Sequence, residues 1–292
     1  MPDAMRRPKN RLVKRAAAFL LLVLTGLSLG GAPAAGYVLD GRHVLDLMLD
    51  HMDLPNQMRI AQRLTVFEGA SEFGAMGFPQ TVCYKMPGNY YAEIKTDELH
   101  RIYSASGEDS LTIVNGQIVS TNIEAIHHYR DLFCYYSRRV LSDHLAYLGL
   151  NVSKSSYGRW EKHIAYVIGA QYPDESKPQL WVDKESFLPI RWVYQVENAA
   201  AGLPRIEFRY KDWRQTNGSW YPRTIELIQD GQLRRRMDVA GIETNPVFKS
   251  AIFNIDHLKA VYAVPDPEAE SAAPESDIDQ QIEKFREIFE PE

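Results

Sequence analysis

Residues 205–243 read RIEFRYKDWRQTNGSWYPRTIELIQDGQLRRRMDVAGIE and decide the fold class. They contain three runs in which apolar and polar side chains alternate, at 205–213, 221–228 and 234–243. The runs are separated by Asn217-Gly218 and Asp230-Gly231, residue pairs that tolerate the positive φ angles of a tight turn. This pattern predicts three antiparallel β-strands joined by hairpins.

The same alternation of strand and turn continues through most of the chain. From Met58 onward Ile60, Leu64 and Val66 lie on one side of a predicted strand, and Asn115-Gly116 marks another hairpin. Further strands are predicted at 80–86, 90–95, 101–104, 110–114, 117–120, 163–170, 179–183 and 189–196. So many short strands favour an antiparallel sheet that closes or nearly closes on itself.

Two regions break the alternation and predict helices. Residues 38–52 carry apolar side chains at helical spacing. Between 122 and 150 long apolar side chains also recur at helical spacing, which predicts one or two helices ending at Gly149. Helices are too few for a βαβ architecture, so the expected class is mainly β with helices (α+β).

Residues 1–35 predict export. Six basic residues precede an uncharged apolar run of 14 residues, Ala16 to Leu29, and a stretch of small residues follows. This order is typical of a secretory signal peptide, and the run is shorter than the roughly 20 residues of a membrane-spanning helix. We expect cleavage near Ala34 or Ala35 and a periplasmic protein. It would not be a lipoprotein, because the first cysteine is Cys83.

The charge of the remaining chain is acidic. Without residues 1–35, 27 Lys and Arg stand against 37 Asp and Glu, a net charge of about −10. Nucleic acids and anionic headgroups reward a basic surface, which argues against either as the main partner. The acidic residues 265–292 predict a disordered tail with a short helix near 279–289. We expect a monomer.

Cys83 and Cys134 are the two cysteines of the chain. An even count in an oxidising compartment allows one disulfide, and two buried free thiols are the alternative. Without a CxxC pair or an HExxH helix they do not form a usual zinc site, and no metal site is predicted.

Few residues suggest catalysis. His127 and His128 are adjacent, but neighbouring helix positions point about 100° apart and do not naturally share one metal. Asp183 and Glu185 could form a carboxylate pair for acid–base chemistry, although a polar turn between two hydrophobic strands is the simpler interpretation. The sequence has no GxSxG, glycine-rich phosphate loop or HExxH motif. We therefore expect neither enzymatic activity nor a cofactor.

Aromatic residues are the best candidates for ligand binding. Trp192 and Tyr194 alternate with Arg191 and Val193, and the next strand repeats the pattern, so one face of the sheet is bulky. This face forms either a packed core or the apolar lining of a partly filled barrel. The candidate lining residues are Trp181, Trp192, Tyr194, Phe208, Tyr210 and Trp213.

Several segments, taken in order, resemble the LolA/LolB-like superfamily of periplasmic outer-membrane lipoprotein-sorting proteins. LWVDKESFLPIR, residues 180–191, is similar to the family's strand–turn–strand block, and FRYKDWRQTNGSWYP, residues 208–222, to its next hairpin. The resemblance covers roughly residues 38–255. Its other elements are Asn245-Pro246 with the segment up to Ile255, Lys85-Met86-Pro87, the stretch 90–94 and the hairpin 110–116.

The resemblance implies a half-open antiparallel β-barrel with a helical lid, in a domain spanning residues 36–264. Its hydrophobic concavity would shelter acyl chains of lipids or lipoproteins. The leading hypothesis is a non-enzymatic periplasmic carrier. A stress-sensing or scaffolding module that binds an envelope protein is the alternative, and an enzyme acting on envelope glycans or lipids is a third.

Overall fold

The computed structural model describes residues 38–67, 75–123, 125–135, 137–194 and 205–262. The leader 1–35, the acidic tail and the helix predicted near 279–289 lie outside the described residues. None of the described helices has the length and apolarity needed to cross a bilayer.

The described chain is mainly β with a few helices, as the alternation predicts. Its α-helices are α1 (Gly41–Met52), α2 (Arg138–Tyr147) and α3 (Ile255–Val261), and its 3₁₀-helices are η1 (Ala125–Phe133) and η2 (Ser250–Phe253). The strands are β1 (Gln57–Phe67), β2 (Ala75–Lys85), β3 (Asn89–Lys95), β4 (His100–Ser106), β5 (Asp109–Val114), β6 (Gln117–Ser120), β7 (Ser155–Trp160), β8 (His163–Ile168), β9 (Gln179–Asp183), β10 (Pro189–Tyr194), β11 (Ile206–Thr216), β12 (Ser219–Gln229) and β13 (Gln232–Thr244).

All these strands belong to one antiparallel sheet in the order β6-β5-β4-β3-β2-β1-β13-β12-β11-β10-β9-β8-β7. Two meanders, β1–β6 and β7–β13, are joined where β1 pairs with β13, with Leu64 opposite Met237. In the described residues the edge strands β6 and β7 do not pair. The sheet is therefore open, which confirms the expected half-open barrel.

The connection between the two edge strands explains the helical lid. β6 ends at Ser120 and β7 begins at Ser155, at the opposite edge of the sheet. The chain between them must cross the sheet, and it does so as η1 and α2. Buried apolar side chains of this crossing segment, including Leu132, Phe133 and Leu141, join the main hydrophobic core.

The sheet curves around that core. Side chains from both meanders, among them Tyr84 and Tyr103 from the first and Trp192 and Phe208 from the second, belong to one buried cluster. Strands so far apart in the sheet can share a core only if the sheet bends. We call the surface of the sheet that faces this cluster the inner face.

The outer face carries two smaller clusters. Phe253, Ile255 and Leu258 from η2 and α3 pack on β2–β6 side chains, including Cys83. The other cluster combines Trp181 with Ala165, Val167, Ala170 and Ile190.

The sequence pattern located most elements but missed one strand. β7 lies in a stretch where Ser155, Ser156 and Gly158 dilute the apolar alternation. The predicted helical block 122–150 divides into the 3₁₀-helix η1 and the α-helix α2. Asn115 and Gly116 have φ angles of 48° and 87°, as the predicted hairpin requires.

Candidate functional site

The inner face of the sheet and the crossing segment η1 form the candidate site. Five of the predicted lining residues meet here: Trp192, Tyr194, Phe208 and Tyr210 are buried in the main cluster, and Trp213 packs against it. Trp192 and Phe208 stand directly opposite each other on β10 and β11, with ring centroids 5.6 Å apart. The alternating aromatics thus share one face, as directly paired residues must.

Trp181 lies on the other face. It pairs with Arg191, whereas Leu180 pairs with Trp192. Because directly opposite residues point to the same side of a sheet, Trp181 points outward with Arg191, whose guanidinium carbon lies 5.4 Å from its ring centroid. The structure therefore separates Trp181 from the other five candidates.

Trp213 joins the inner group because the backbone departs from regular strand geometry beside it. Asp212 has a φ of 54°, outside the extended region of a strand. Trp213 packs against the main cluster and donates a hydrogen bond from Nε1 to the carbonyl oxygen of Pro189 at 3.0 Å. Simple alternation from Tyr210 does not predict this.

In this structure η1 fills the concavity. The ring of Phe133 lies 4.7 Å from Tyr221 and 5.7 Å from Tyr210. Tyr129 shares a hydrogen bond of 2.6 Å with the hydroxyl of Tyr90, and its carbonyl oxygen accepts one of 3.0 Å from Tyr210. Two small pockets between η1 and the sheet, lined by described residues, have volumes of about 10 and 20 Å³. Each is about large enough for one water molecule.

His127 of η1 and side chains of the sheet form a buried polar cluster. Arg101, 1% exposed, donates from Nη2 to Nε2 of His127 at 3.4 Å. The His127 ring stacks on Tyr103 with centroids 3.8 Å apart. Burial and the nearby guanidinium groups of Arg101, Arg235 and Arg130 hold the pKa of His127 well below its ordinary value. His127 is therefore neutral at pH 7.

His128 points elsewhere, as expected for adjacent histidines. Its Nδ1 lies 2.7 Å from Oδ2 of Asp131, and Nε2 of His144 lies 2.8 Å from the same oxygen. Burial alone would raise the pKa of Asp131, but the hydrogen bonds from His128 and His144 outweigh it and lower the pKa. Sequence reasoning missed this cluster because His144 belongs to a different helix.

Asp183 and Glu185, the carboxylates considered for catalysis, belong to the turn between β9 and β10. Oδ1 of Asp183 accepts hydrogen bonds from the backbone N–H groups of Glu185 at 3.0 Å and Ser186 at 2.8 Å. Its Oδ2 lies 2.8 Å from Nδ1 of His163. Glu185 is exposed. Asp183 therefore caps the turn between β9 and β10, as the simpler interpretation predicted.

An open groove of about 660 Å³ lies beside this turn. Its volume falls in the usual range of ligand sites. Tyr210 and Trp213 line it and also belong to the inner aromatic group, so the groove reaches the edge of the filled concavity. Trp160, Trp220, His51 and Lys211 are among its other lining residues.

The two cysteines are free buried thiols. Cys134 follows η1 and belongs to the main cluster, whereas Cys83 belongs to the cluster on the outer face. The structure thus has the second of the two alternatives left open by the sequence. Burial raises the pKa of Cys83 to about 11 and that of Cys134 to about 12.

Comparison with known proteins relates the architecture to a known fold. No family model and no curated protein sequence matches the chain. Among solved structures, it is similar to a domain assigned as an outer membrane lipoprotein-sorting protein from Vibrio parahaemolyticus. The TM-score is 0.51 with 10% identity, over 75% of this chain and 98% of that domain. The fold is LolA-like.

Two further similar structures have TM-scores of 0.49. A LolA superfamily protein from Nitrosomonas europaea is 16% identical, and the match covers 75% of this chain and all of that protein. A DUF1329 family protein from Desulfovibrio piger is 12% identical over 75% of this chain and 98% of its own. The similarity to the Vibrio parahaemolyticus domain and the open antiparallel sheet confirm the LolA-like resemblance for the fold.

Proposed function

We propose that this chain is a periplasmic carrier that binds acyl chains of lipoproteins or other envelope lipids on the inner face of its sheet. One observation carries the proposal. The apolar inner face is covered by a crossing segment, η1, which is not a strand of the sheet. A cover held mainly through side chains can move without breaking the sheet's ladder of hydrogen bonds.

The contacts that hold the cover are made mostly by side chains. They include the Tyr90–Tyr129 hydroxyl pair, the hydrogen bond from Tyr210 to the Tyr129 carbonyl, and the bond from the Gly88 N–H to the Cys134 carbonyl at 2.9 Å. A hydrogen bond contributes about 1 kcal/mol net, whereas each buried CH₂ contributes about 0.8 kcal/mol. An acyl chain that takes the place of Leu132 and Phe133 can therefore offset part of the cost of displacing η1.

The groove beside Tyr210 and Trp213 is the proposed entrance for the chain. It is open to solvent on one side and shares these two aromatic residues with the concavity. Lys162 and Lys211 line it together with Glu161, Asp183 and Asp212, so the proposed recognition rests on the aromatic wall and not on a positive charge. The acyl chain would enter along the aromatic wall and then displace η1.

Binding without a chemical step completes the proposal. Asp183, the first carboxylate to consider for catalysis, already has its oxygens engaged by Glu185, Ser186 and His163. We propose an exported monomer that binds acyl chains without a cofactor, and the predicted leader 1–35 supports a periplasmic location. The domain limits 36–264 and the acidic tail stay predictions.

The filled interior favours a second candidate. Tyr84, Trp192, Phe208 and Tyr221 are each at most 1% exposed, so the concavity is packed in this state. A packed LolA-like barrel suits a sensing or scaffolding module that binds an envelope protein through its surface. Such a module would not need η1 to move.

Native mass spectrometry with lipid extraction separates the two candidates. The protein is purified from the periplasm without detergent, and bound lipids are identified in the extract. The carrier predicts a stoichiometric acyl species, or uptake of added phospholipid by the apo protein. A clean apo mass with no uptake of phospholipid or acylated lipopeptide would contradict the carrier and leave the scaffold.

A further inference from the structure

His128, Asp131 and His144 form a compact set of ligand-type atoms apart from the proposed acyl site. One ligand atom from each residue lies within 4.8 Å of the other two. We propose that these three side chains bind one divalent transition-metal ion of the Zn²⁺ class. The proposal is independent of what the concavity binds.

The 3₁₀ geometry of η1 creates the first half of the site. A 3₁₀-helix has three residues per turn, so side chains at i and i+3 lie directly above one another. His128 and Asp131 are three apart within η1 (Ala125–Phe133) and therefore project together. In an α-helix the same pair would be offset by about 60°.

The helix α2 supplies the third ligand. His144 lies in its last turn and reaches Oδ2 of Asp131 at 2.8 Å. The rings of His128 and His144 are 6.4 Å apart and inclined by 51°, with the carboxylate oxygen between their nitrogen atoms. Two histidines from different helices thus converge on one oxygen.

The donor set suits zinc. Imidazole nitrogen and carboxylate oxygen bind Zn²⁺ at about 2.0–2.2 Å, so tetrahedral ligand atoms lie about 3.3 Å apart. The present nitrogen–oxygen distances of 2.7 and 2.8 Å need to lengthen by about 0.5 Å, and the two histidine nitrogens, which lie within 4.8 Å of each other, need to approach by up to about 1.5 Å. The ion would replace the two nitrogen–oxygen contacts at Oδ2, with each neutral imidazole carrying its proton on the ring nitrogen that does not bind the ion.

The surroundings leave space for a fourth ligand. His128, Asp131 and His144 line a partly enclosed pocket of about 20 Å³, together with Cys134 and Tyr135. A water molecule fits that volume, and three protein ligands plus water is a usual zinc arrangement.

Arg130 is the charge that opposes a cation here. Its Nε lies 3.5 Å from Oδ1 of Asp131, the oxygen that the histidines do not contact. Its guanidinium carbon lies 4.8 and 5.2 Å from the ring centroids of Tyr90 and Tyr103, on whose π-faces a cation is stabilised. The ligand oxygen Oδ2 therefore stays available, while Arg130 weakens the affinity.

A bound ion would join η1 to α2. At present the two helices are connected at this point by the hydrogen bond between His144 and Asp131. Metal–ligand bonds there would hold the C-terminal part of the cover in place. We therefore expect Zn²⁺ to raise the melting temperature of the chain.

The test is a Zn²⁺ titration of the full chain, purified without a polyhistidine tag and first stripped with a chelator. Calorimetry and native mass spectrometry should show one ion per chain, and Co²⁺ should give the intense visible bands of a four-coordinate site. His144→Gln is the decisive variant. Its amide still donates a hydrogen bond to Asp131 but is a poor zinc ligand, so the fold is retained while binding weakens by at least about tenfold.

A matched control comes from the same chain. His163→Gln removes another histidine that contacts an aspartate at 2.8 Å, His163 with Asp183, and should keep wild-type binding. Asp131→Asn should abolish the Co²⁺ bands, with circular dichroism reporting its fold. The proposal is overturned if the wild-type chain takes up no stoichiometric Zn²⁺, or if His144→Gln binds as tightly as wild type.

Discussion

Arg191 donates a hydrogen bond from Nη2 to Oε2 of Glu207 at 2.8 Å, and each of the two side chains is 5% exposed. The pair joins β10 to β11 on the outer face. The same guanidinium also contacts both carboxylate oxygens of Glu175 at 2.9 Å, but the side chain of Glu175 is 45% exposed. The guanidinium of Arg191 therefore pairs with one buried carboxylate, that of Glu207, and one solvent-exposed carboxylate, that of Glu175.

The two carboxylates should differ in what they contribute to stability. We expect Glu207→Gln to lower the free energy of unfolding by about 3 kcal/mol, because it removes a buried counterion. Glu175→Gln should cost about 1 kcal/mol or less, since water screens the exposed group. Urea unfolding of both variants measures the difference, and equal losses would contradict it.

Asp183 should make stability depend on acid pH. Burial alone raises its pKa, but the hydrogen bonds from Ser186 and His163 outweigh burial and lower the pKa below its ordinary value. The unfolded chain therefore binds a proton at Asp183 more tightly than the folded chain does. The stabilisation is complete above the unfolded pKa of about 3.9 and is lost as pH falls through the lowered folded pKa. Asp183→Asn should make the free energy of urea unfolding fall less steeply between about pH 5 and pH 2, without removing the contribution of Asp131 and other carboxylates with lowered pKa.

A control for this pH series lies on the same turn. Glu185→Gln removes an exposed carboxylate with the same change of charge. An Asp183→Asn profile as steep as that of Glu185→Gln would show that Asp183 is not responsible.

The two thiols should report movement of η1. Both are 3% exposed, and burial raises the pKa of Cys134 to about 12 and that of Cys83 to about 11. Because the thiolate is the reactive form, neither should react with a thiol reagent in the native protein. If acyl chains displace η1, phospholipid should expose Cys134 and leave Cys83 protected. The single-cysteine variants Cys83→Ser and Cys134→Ser measure each rate separately, and parallel rates would argue against local opening.

Two buried tryptophans on opposite faces should respond differently to lipid. Trp192 lies in the inner cluster and Trp181 in the outer one. Phospholipids with brominated acyl chains quench nearby tryptophans, so Trp192→Phe should reduce the quenching and Trp181→Phe should leave it unchanged. Each variant should cost about 2 kcal/mol of stability. Equal quenching in both variants would place the acyl chain elsewhere.

The hairpin between β5 and β6 should depend on Gly116. Its φ is 87°, and a Cβ there would contact nothing within 4 Å, so the penalty of alanine is purely conformational. We expect Gly116→Ala to cost about 1 kcal/mol. Gly241→Ala in β13, where the space is also open and φ is ordinary, should be nearly neutral. Thermal unfolding of the two variants tests the contrast.

Much of the architecture could be read from local pattern. Asn115-Gly116 and Asn217-Gly218 each adopt the positive φ angles that their hairpins need, and the alternating runs around them became strands. β7 was not predicted because Ser155, Ser156 and Gly158 interrupt the alternation of apolar and polar residues. The block 122–150 was correctly read as helical, but its spacing did not reveal that η1 is a 3₁₀-helix.

The candidate site was predicted less completely. The sequence pattern paired Trp192 and Tyr194 with Phe208 and Tyr210, and the sheet brings these together. It grouped Trp181 with them, although the β9–β10 register places that side chain on the outer face. Side chains along a strand point alternately to the two faces of the sheet, so a shift of one residue moves a side chain from one face to the other.

By itself, the sequence determined what depends on a few neighbouring residues: the hairpin turns, the alternation of the strands and the helical character of 38–52 and 122–150. Only the tertiary structure decided that η1 fills the concavity, that Cys83 and Cys134 lie on opposite faces, and that His144 meets Asp131. Turn angles and alternation arise from local sterics and side-chain direction. The meetings of distant residues require the sheet to curve and the β6–β7 connection to cross it, and this depends on the packing of the whole domain.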